Sequence, residues 1–343
     1  VNILVLHTQV PFVRGGAEVL VDGLVDALRD RHHTVDIVAL PLAWNPPDRL
    51  LTTALAWRLL DLSRFNDRVV DRVICTKYPT WAVEHPRKSL WLVHQHRQAY
   101  DLYGSALSEF DTGSASQQTR AHLIEIDKLG ISECQPRFAI SRNVAERLRR
   151  YCGLDASPLY PPVPRCGLRA ESYEPFILSV SRLDSAKRVA PLIDAFAHAP
   201  AELSLQIVGD GPDRQALVRR VERLGLGSRV IFHGRASDDV VLDLYNRCRA
   251  VYYAPVDEDY GYSTVEALTA AKPVITAPDS GGVLEFIQDG TTGVVSALDP
   301  VSLADALTKV ADASLARRLG ENGPMLTREL SWDRVVDSLL AGD

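Results

Sequence analysis

At 343 residues, with 46% hydrophobic and 24% charged residues, the chain has an ordinary globular balance but exceeds one comfortable core, so two domains of roughly 150–170 residues are expected. A net charge of −6 gives no general case for nucleic acid. Cys75, Cys134, Cys152, Cys166 and Cys248 are scattered, odd in number and without a CxxC pair, which argues for a reducing compartment and against a zinc cluster, and no run approaches the ~20 apolar residues of a membrane span.

Val1–Leu6 is too short for a signal-peptide core and reads as a first strand. Gly15-Gly16-Ala17-Glu18 opens a helix running to about Arg31, and Thr34–Leu40 is a second strand. Arg49–Phe65 has helical period, with Leu51, Leu55, Leu59 and Leu62 on one face. Strands at Arg72–Thr76, Leu90–His94 and Arg137–Ile140 alternate with helices at Gln117–Leu129 and Asn143–Tyr151. The alternation predicts a parallel sheet with helices on both faces. Residues 153–175, rich in proline, read as a stiff linker. Strands at Phe176–Val180, Ser204–Val208 and Arg229–Phe232 then alternate with helices from Val189, Arg214 and Asp239. Next comes the organising stretch: strand Val251–Ala254, acidic turn Pro255–Asp259, Gly261, a helix over about Ser263–Ala271, and strand Pro273–Ala277 ending at Gly281-Gly282. A break at Gly320–Pro324 precedes a last helix, Trp332–Leu340. The expected architecture is α/β: two Rossmann-like, doubly wound parallel-sheet domains, 1–157 and 158–326, facing each other across a cleft. The C-terminal helix, about 327–343, is expected to pack back on the first.

Open α/β sheets bind ligands at the carboxyl ends of their strands, and the polar residues of this chain gather there. Glu258 in the acidic turn and Glu266 in the following helix can reach different parts of one elongated ligand; a capping acid plus a solvated carboxylate is the plainer alternative. The backbone N–H groups of Tyr260, Gly261, Tyr262, Ser263 and Thr264 at the helix start favour an anion. Arg182 and Lys187, in one strand-to-helix loop, can bracket a pyrophosphate as fork and point charge. Gly209 and Arg235 end the next two strands. In the first half, Gly15 and Gly16 allow close backbone approach but lack the GxGxxG spacing of a dinucleotide site. His94 closes a strand as a hydrogen-bonding group or a structural one; a metal shared with His96 on the same strand face lacks a third ligand.

With these residues the chain resembles the retaining glycosyltransferases of family 4, which have the GT-B fold. The match runs from Gly15-Gly16-Ala17-Glu18 through His94, Ser181-Arg182, Lys187 and Gly209-Asp210-Gly211-Pro212. It continues through Phe232-His233-Gly234 and the E-x7-E pair Glu258/Glu266 to Gly281–Glu285, Gly290 and Gly293. The resemblance implies transfer of a sugar from a nucleotide-diphosphate sugar to a hydroxyl acceptor: a polysaccharide or lipid-linked intermediate, or a natural product. Arg182 and Lys187 would hold the diphosphate, Glu258 the donor sugar and Glu266 the ribose. His94 would meet the sugar near the reacting centre, Gly16 the phosphate, and Gly209 and Arg235 the nucleoside pocket. No cofactor and no metal is implied. Asp257-Glu258-Asp259 spells the DxD of a different, metal-dependent architecture, but here the Arg/Lys pair supplies the positive charge. Arg97 and Asp101, just after His94, are assigned to the acceptor, with a structural loop as the alternative. A cytoplasmic protein is expected. Arg137, Arg142, Arg147, Arg149 and Arg150 offer a basic face for weak peripheral contact at the inner membrane face, or else a solvated helix face. A nucleotide-sugar epimerase or a non-catalytic nucleotide-sugar binder of the same fold is the alternative function.

Overall fold

The computed structural model describes residues 1–105, 107–108, 110 and 113–341. It divides into two compact units, Val1–Pro162 with Ser331–Asp343, and Val163–Leu330; the sequence placed these divisions at 157/158 and 326/327.

In the first unit the strands are β1 (Asn2–Gln9), β2 (Thr34–Pro41), the short pair β3 (Arg64–Phe65) and β4 (Arg68–Val69), β5 (Arg72–Lys77), β6 (Lys88–His94), β7 (Arg137–Ala139) and β8 (Ser157–Pro158). Among the described residues six of them form one sheet in the order β2-β1-β5-β6-β7-β8, parallel throughout, while β3 and β4 pair antiparallel. The helices are α1 (Gly16–Asp30), α2 (Arg49–Arg58), α3 (Ser114–Ser132) and α4 (Arg142–Cys152). Helix α1 buries Leu20, Val21, Leu24, Val25 and Leu28, the i, i+4 stripe of an amphipathic helix. The C-terminal segment Trp332–Leu340 packs on α1 at Gly23, where an added Cβ would meet the Trp332 ring at 2.3 Å. The Leu339 carbonyl at its far end accepts from Arg72 at 3.0 Å and from Ser89 at 3.1 Å.

Three expectations are corrected here. The helix at Arg49–Phe65 stops at Arg58, and its buried face is Leu50, Ala54 and Trp57, whereas Leu55 and Leu59 are exposed. The leucine spacing matched a helical period, but tryptophan has more apolar surface to bury and sets which face turns inward. The linker at 153–175 is no free spacer. Its start supplies the edge strand β8, and its end is strapped to the second unit by Arg169 and Glu171 N–H bonds to Asn246 and a Glu174 N–H bond to Arg247. The five arginines also share no single outward face. Arg147 is buried against Asp101, and Arg137 donates to the carbonyls of Asp155, Ser132 and Cys134.

The second unit runs β9 (Phe176–Val180), α5 (Val189–Phe196), β10 (Ser204–Val208), α6 (Arg214–Arg223), β11 (Val230–Gly234), α7 (Asp238–Arg247), β12 (Ala250–Tyr252), α8 (Tyr262–Thr269), β13 (Val274–Thr276) and β14 (Gly293–Val295). Three helical segments follow, Pro300–Ala311, Ala313–Gly320 and Pro324–Thr327, beyond the elements expected from the sequence. The sheet is parallel in the order β11-β10-β9-β12-β13-β14. Its chain order reverses between β9 and β12, the crevice in which Rossmann-type sheets take ligands. In the first unit the reversal lies between β1 and β5.

Candidate functional site

In the second unit the loops after β9 and β12 meet at that reversal. The Lys187 ammonium forms an ion pair with Glu258 and donates to the Tyr253 hydroxyl at 3.2 Å. Both partners are mostly buried, at 20% and 18% exposure. Burial works against the charge on Lys187, but the Glu258 carboxylate and the Tyr253 hydroxyl together more than offset it and hold the ammonium above its ordinary range. Arg182 is instead 58% exposed and stands 3.5 Å from Asp184, so it does not join the pair.

Glu266, one turn into α8, is buried, with Arg165 Nε 2.9 Å from its carboxylate; Arg165 also pairs with Asp238. Burial pushes the Glu266 carboxyl up to about 7, against the pull of Arg165. Arg165 was missed because it stands in the proline-rich passage with no motif around it; only the return of the chain along α7 brings it to Glu266. Of the helix-start amides, Thr264 N–H donates to the Gly261 carbonyl at 2.9 Å and is therefore not available to an anion. Tyr260 and Gly261 are buried, and Tyr262 and Ser263 half-buried. The Ser263 hydroxyl donates to the Val180 carbonyl at 2.8 Å, tying the start of α8 to the end of β9. Gly209 ends β10 beside β9, and Arg235 is exposed just beyond the edge strand β11, two strands from the reversal.

Residues 167–325 match the family described as glycosyl transferases group 1. The fold is the GT-B fold. A sucrose-phosphate synthase from Thermosynechococcus elongatus has TM-score 0.71 at 19% identity, covering 97% of this chain and 96% of that one. Anabaena HepE, solved in complex with UDP and glucose, has TM-score 0.67 at 18% identity over 97% and 96% of the two chains. In sequence, a D-inositol 3-phosphate glycosyltransferase of Xylanimonas cellulosilytica is 29% identical over 205 residues, 55% of this chain and 48% of that protein. An alpha-D-kanosaminyltransferase of Streptomyces kanamyceticus is 31% identical over 208 residues, 57% and 53% of the two. The chain thus spans about half the length of the curated relatives it matches.

The first unit gathers a second cluster at its own strand-order reversal. The Glu18 carboxylate accepts from the Gly15 N–H at 2.7 Å, lies 3.2 Å from His7 Nε2 and takes Lys77 Nζ at 3.2 Å. Burial raises the cost of its charge, yet these bonds hold the carboxyl down at about 2. Lys77 is buried, and that burial lowers its ammonium below the ordinary range even with Glu18 beside it. Lys77 is also the cross-strand partner of His94. A lysine closing the apolar strand Arg72–Lys77 is a signal visible in the sequence, outside the site residues expected from it.

His94 Nδ1 lies 2.8 Å from the Gln95 carbonyl, which only accepts, so that nitrogen carries the proton. His96 does not share a strand face with it, because β6 ends at His94. It packs between Tyr78 and Phe110, and burial followed by the charge of His94 pulls its imidazole down to about 4. Asp127, fully buried on α3, accepts from Trp81 at 2.8 Å, Gln95 at 3.1 Å and Tyr100 at 2.6 Å, and so holds the loop after His94 against α3. Arg97 donates to Asp101 at 2.6 Å, and Arg147 Nε stands 3.2 Å from the same carboxylate.

Proposed function

We propose that the chain is a retaining glycosyltransferase that moves a sugar from a nucleotide-diphosphate sugar to a hydroxyl acceptor without a metal. The observation that carries this reading is the Lys187–Glu258 pair at the strand-order reversal of the very unit that matches group 1. In the free protein the two charges neutralise each other. An arriving diphosphate competes for the ammonium and releases the carboxylate to accept from sugar hydroxyls. Lys187, charged at any working pH, and the exposed fork of Arg182 then meet the negative charge that builds on the leaving nucleotide. Glu266 is assigned to the ribose hydroxyls, with Gly209 and Arg235 bordering the nucleoside. His94 is assigned to the donor sugar and Gly16 to the phosphate. Among the described residues an added Cβ at Gly15 would meet only the Glu18 carboxylate, at 3.7 Å, which supports room for a ligand rather than a packing demand. Retention and metal independence follow the family 4 resemblance, and a cytoplasmic setting follows the cysteine usage.

HepE, solved with UDP and glucose, makes a uridine sugar the first donor to try. Thermal shifts with UDP, GDP, ADP, dTDP and their sugars, with and without EDTA, test the reading. One nucleotide should stabilise the protein selectively, EDTA should not matter, and Arg182→Ala should abolish the shift. No shift with any member would remove the transferase reading. The anomer formed, read by proton NMR, tests retention.

A further inference from the structure

Arg188 follows Lys187 directly and takes a left-handed backbone, φ 51°, although it is not glycine. Its side chain is 16% exposed. It donates to the carbonyls of Ala254 and Pro255, both at 2.6 Å, to the two oxygens of Asp279 at 2.8 and 2.7 Å, and reaches the Ser280 hydroxyl at 3.5 Å. The Tyr252 hydroxyl donates to the Arg188 carbonyl at 2.8 Å. The acceptors belong to the loops that leave β12 and β13. Those two loops are laced together beside them by Asp257 N–H to Asp279, Glu258 N–H to Ser280 and Gly282 N–H to Glu258, and Val256 N–H ties the first of them to Ala186 in the loop that carries Arg188. Asp257, the residue before Glu258, also has a left-handed φ of 41°. A backbone so seldom adopted persists only where its surroundings over-determine it.

We infer that Arg188 is a positioning residue for donor-sugar recognition: it clamps the turn that carries Glu258, and so sets where that carboxylate meets the sugar. The inference rests on the donor-site reading above. Only arginine offers five donors in a planar fork, and this one spans two carbonyls, a bidentate carboxylate and a hydroxyl on two loops. Asp279 answers in kind, its carboxyl drawn below the usual range chiefly by the bond from Arg188. Glu266 is held separately, by Arg165, so the clamp bears on the sugar end of the donor and not on the nucleoside end.

Arg188→Gly tests this, because glycine adopts the left-handed backbone without strain and so leaves the fold unopposed. Calorimetric titration with UDP-glucose, GDP-mannose, ADP-glucose and dTDP-glucose, and with each parent diphosphate, gives the preference for sugar nucleotide over nucleotide. In Arg188→Gly that preference should fall about tenfold while the affinity for the diphosphate moves less than about threefold. Asp279→Asn should move it the same way by about threefold, and Arg188→Lys should not rescue it, since an ammonium cannot fork. An unchanged preference in Arg188→Gly, or full rescue by lysine, overturns the assignment. A wild-type protein that binds no member of the panel overturns the donor-site reading itself and this inference with it.

Discussion

Lys187 and Glu258 can be separated by a double-mutant cycle that reads stability and turnover in parallel. Lys187→Met keeps the length of the side chain and removes its charge, which leaves a carboxylate of 18% exposure without its cation. Exposed pairs contribute under ~1 kcal/mol and fully buried ones cost ~3–5 kcal/mol to break, so this part-buried case should cost about 2 kcal/mol. Glu258→Gln should cost a similar amount by stranding the ammonium. The double variant strands neither, so the coupling between the two should be about 1–2 kcal/mol. Lys187 is held above its ordinary range, so its contribution is fully present below the unfolded lysine value and lost only as pH rises through the folded one. Denaturant titrations at pH 6 and pH 8 should therefore give the same coupling. Turnover behaves otherwise: Lys187→Met should lose about 10²–10³ in kcat for want of a positive charge facing the leaving group, and the double variant should recover none of it. Coupling below about 0.5 kcal/mol would mean that the two groups do not meet in the free protein. Turnover restored in the double variant would make the pair a structural brace with no part in the transfer.

In its proposed place at the ribose, Glu266, pushed up to about 7 by burial, would accept from hydroxyls best when ionised, so nucleotide affinity should decline as pH falls below about 7. Glu266→Gln should bind weakly with a flat profile in the same titration. Asp127, also pushed up to about 7 by burial, favours its proton in the folded state, so its contribution to stability worsens from the ordinary carboxylate range up to about pH 7. Asp127→Asn should remove that slope from denaturant titrations at pH 5 and pH 8, and an unchanged slope would place the charge elsewhere. Gly209→Ala demands a Cβ 1.8 Å from the Ser181 carbonyl at φ 130°, and should cost at least about 3 kcal/mol, several degrees in Tm. Asp101→Asn should reduce transfer to acceptor while sparing donor hydrolysis; equal loss of both would return Asp101 to a purely structural role.

Most of this fold was legible in the sequence, because hydrophobic period and turn chemistry are local. The strand–helix alternation, the run from β9 to α8 and the final helix at Trp332–Leu340 all came from spacings within a few residues. The same locality exposed Glu258, Glu266, Arg182 and Lys187 as polar residues at strand ends. Tertiary structure decided which of them meet. Lys187 finds Glu258 across 71 positions because β9 and β12 are neighbours in the sheet, and Arg182, in the same loop, turns away to Asp184. The strand-end lysine Lys77 had a visible local signal, but its meeting with Glu18 and His94 depends on β1, β5 and β6 lying side by side. Arg165 had no motif around it, and Arg188, though next to Lys187 in the same loop, had nothing local to set its role: one reaches Glu266 from the strapped linker, the other holds two loops at once. Nor did leucine spacing reveal the inward face of α2, which Trp57 takes. Period reports how a segment can bury one face. Which partner it buries that face against, and which charges are left to pair there, depends on contacts closed across the whole chain.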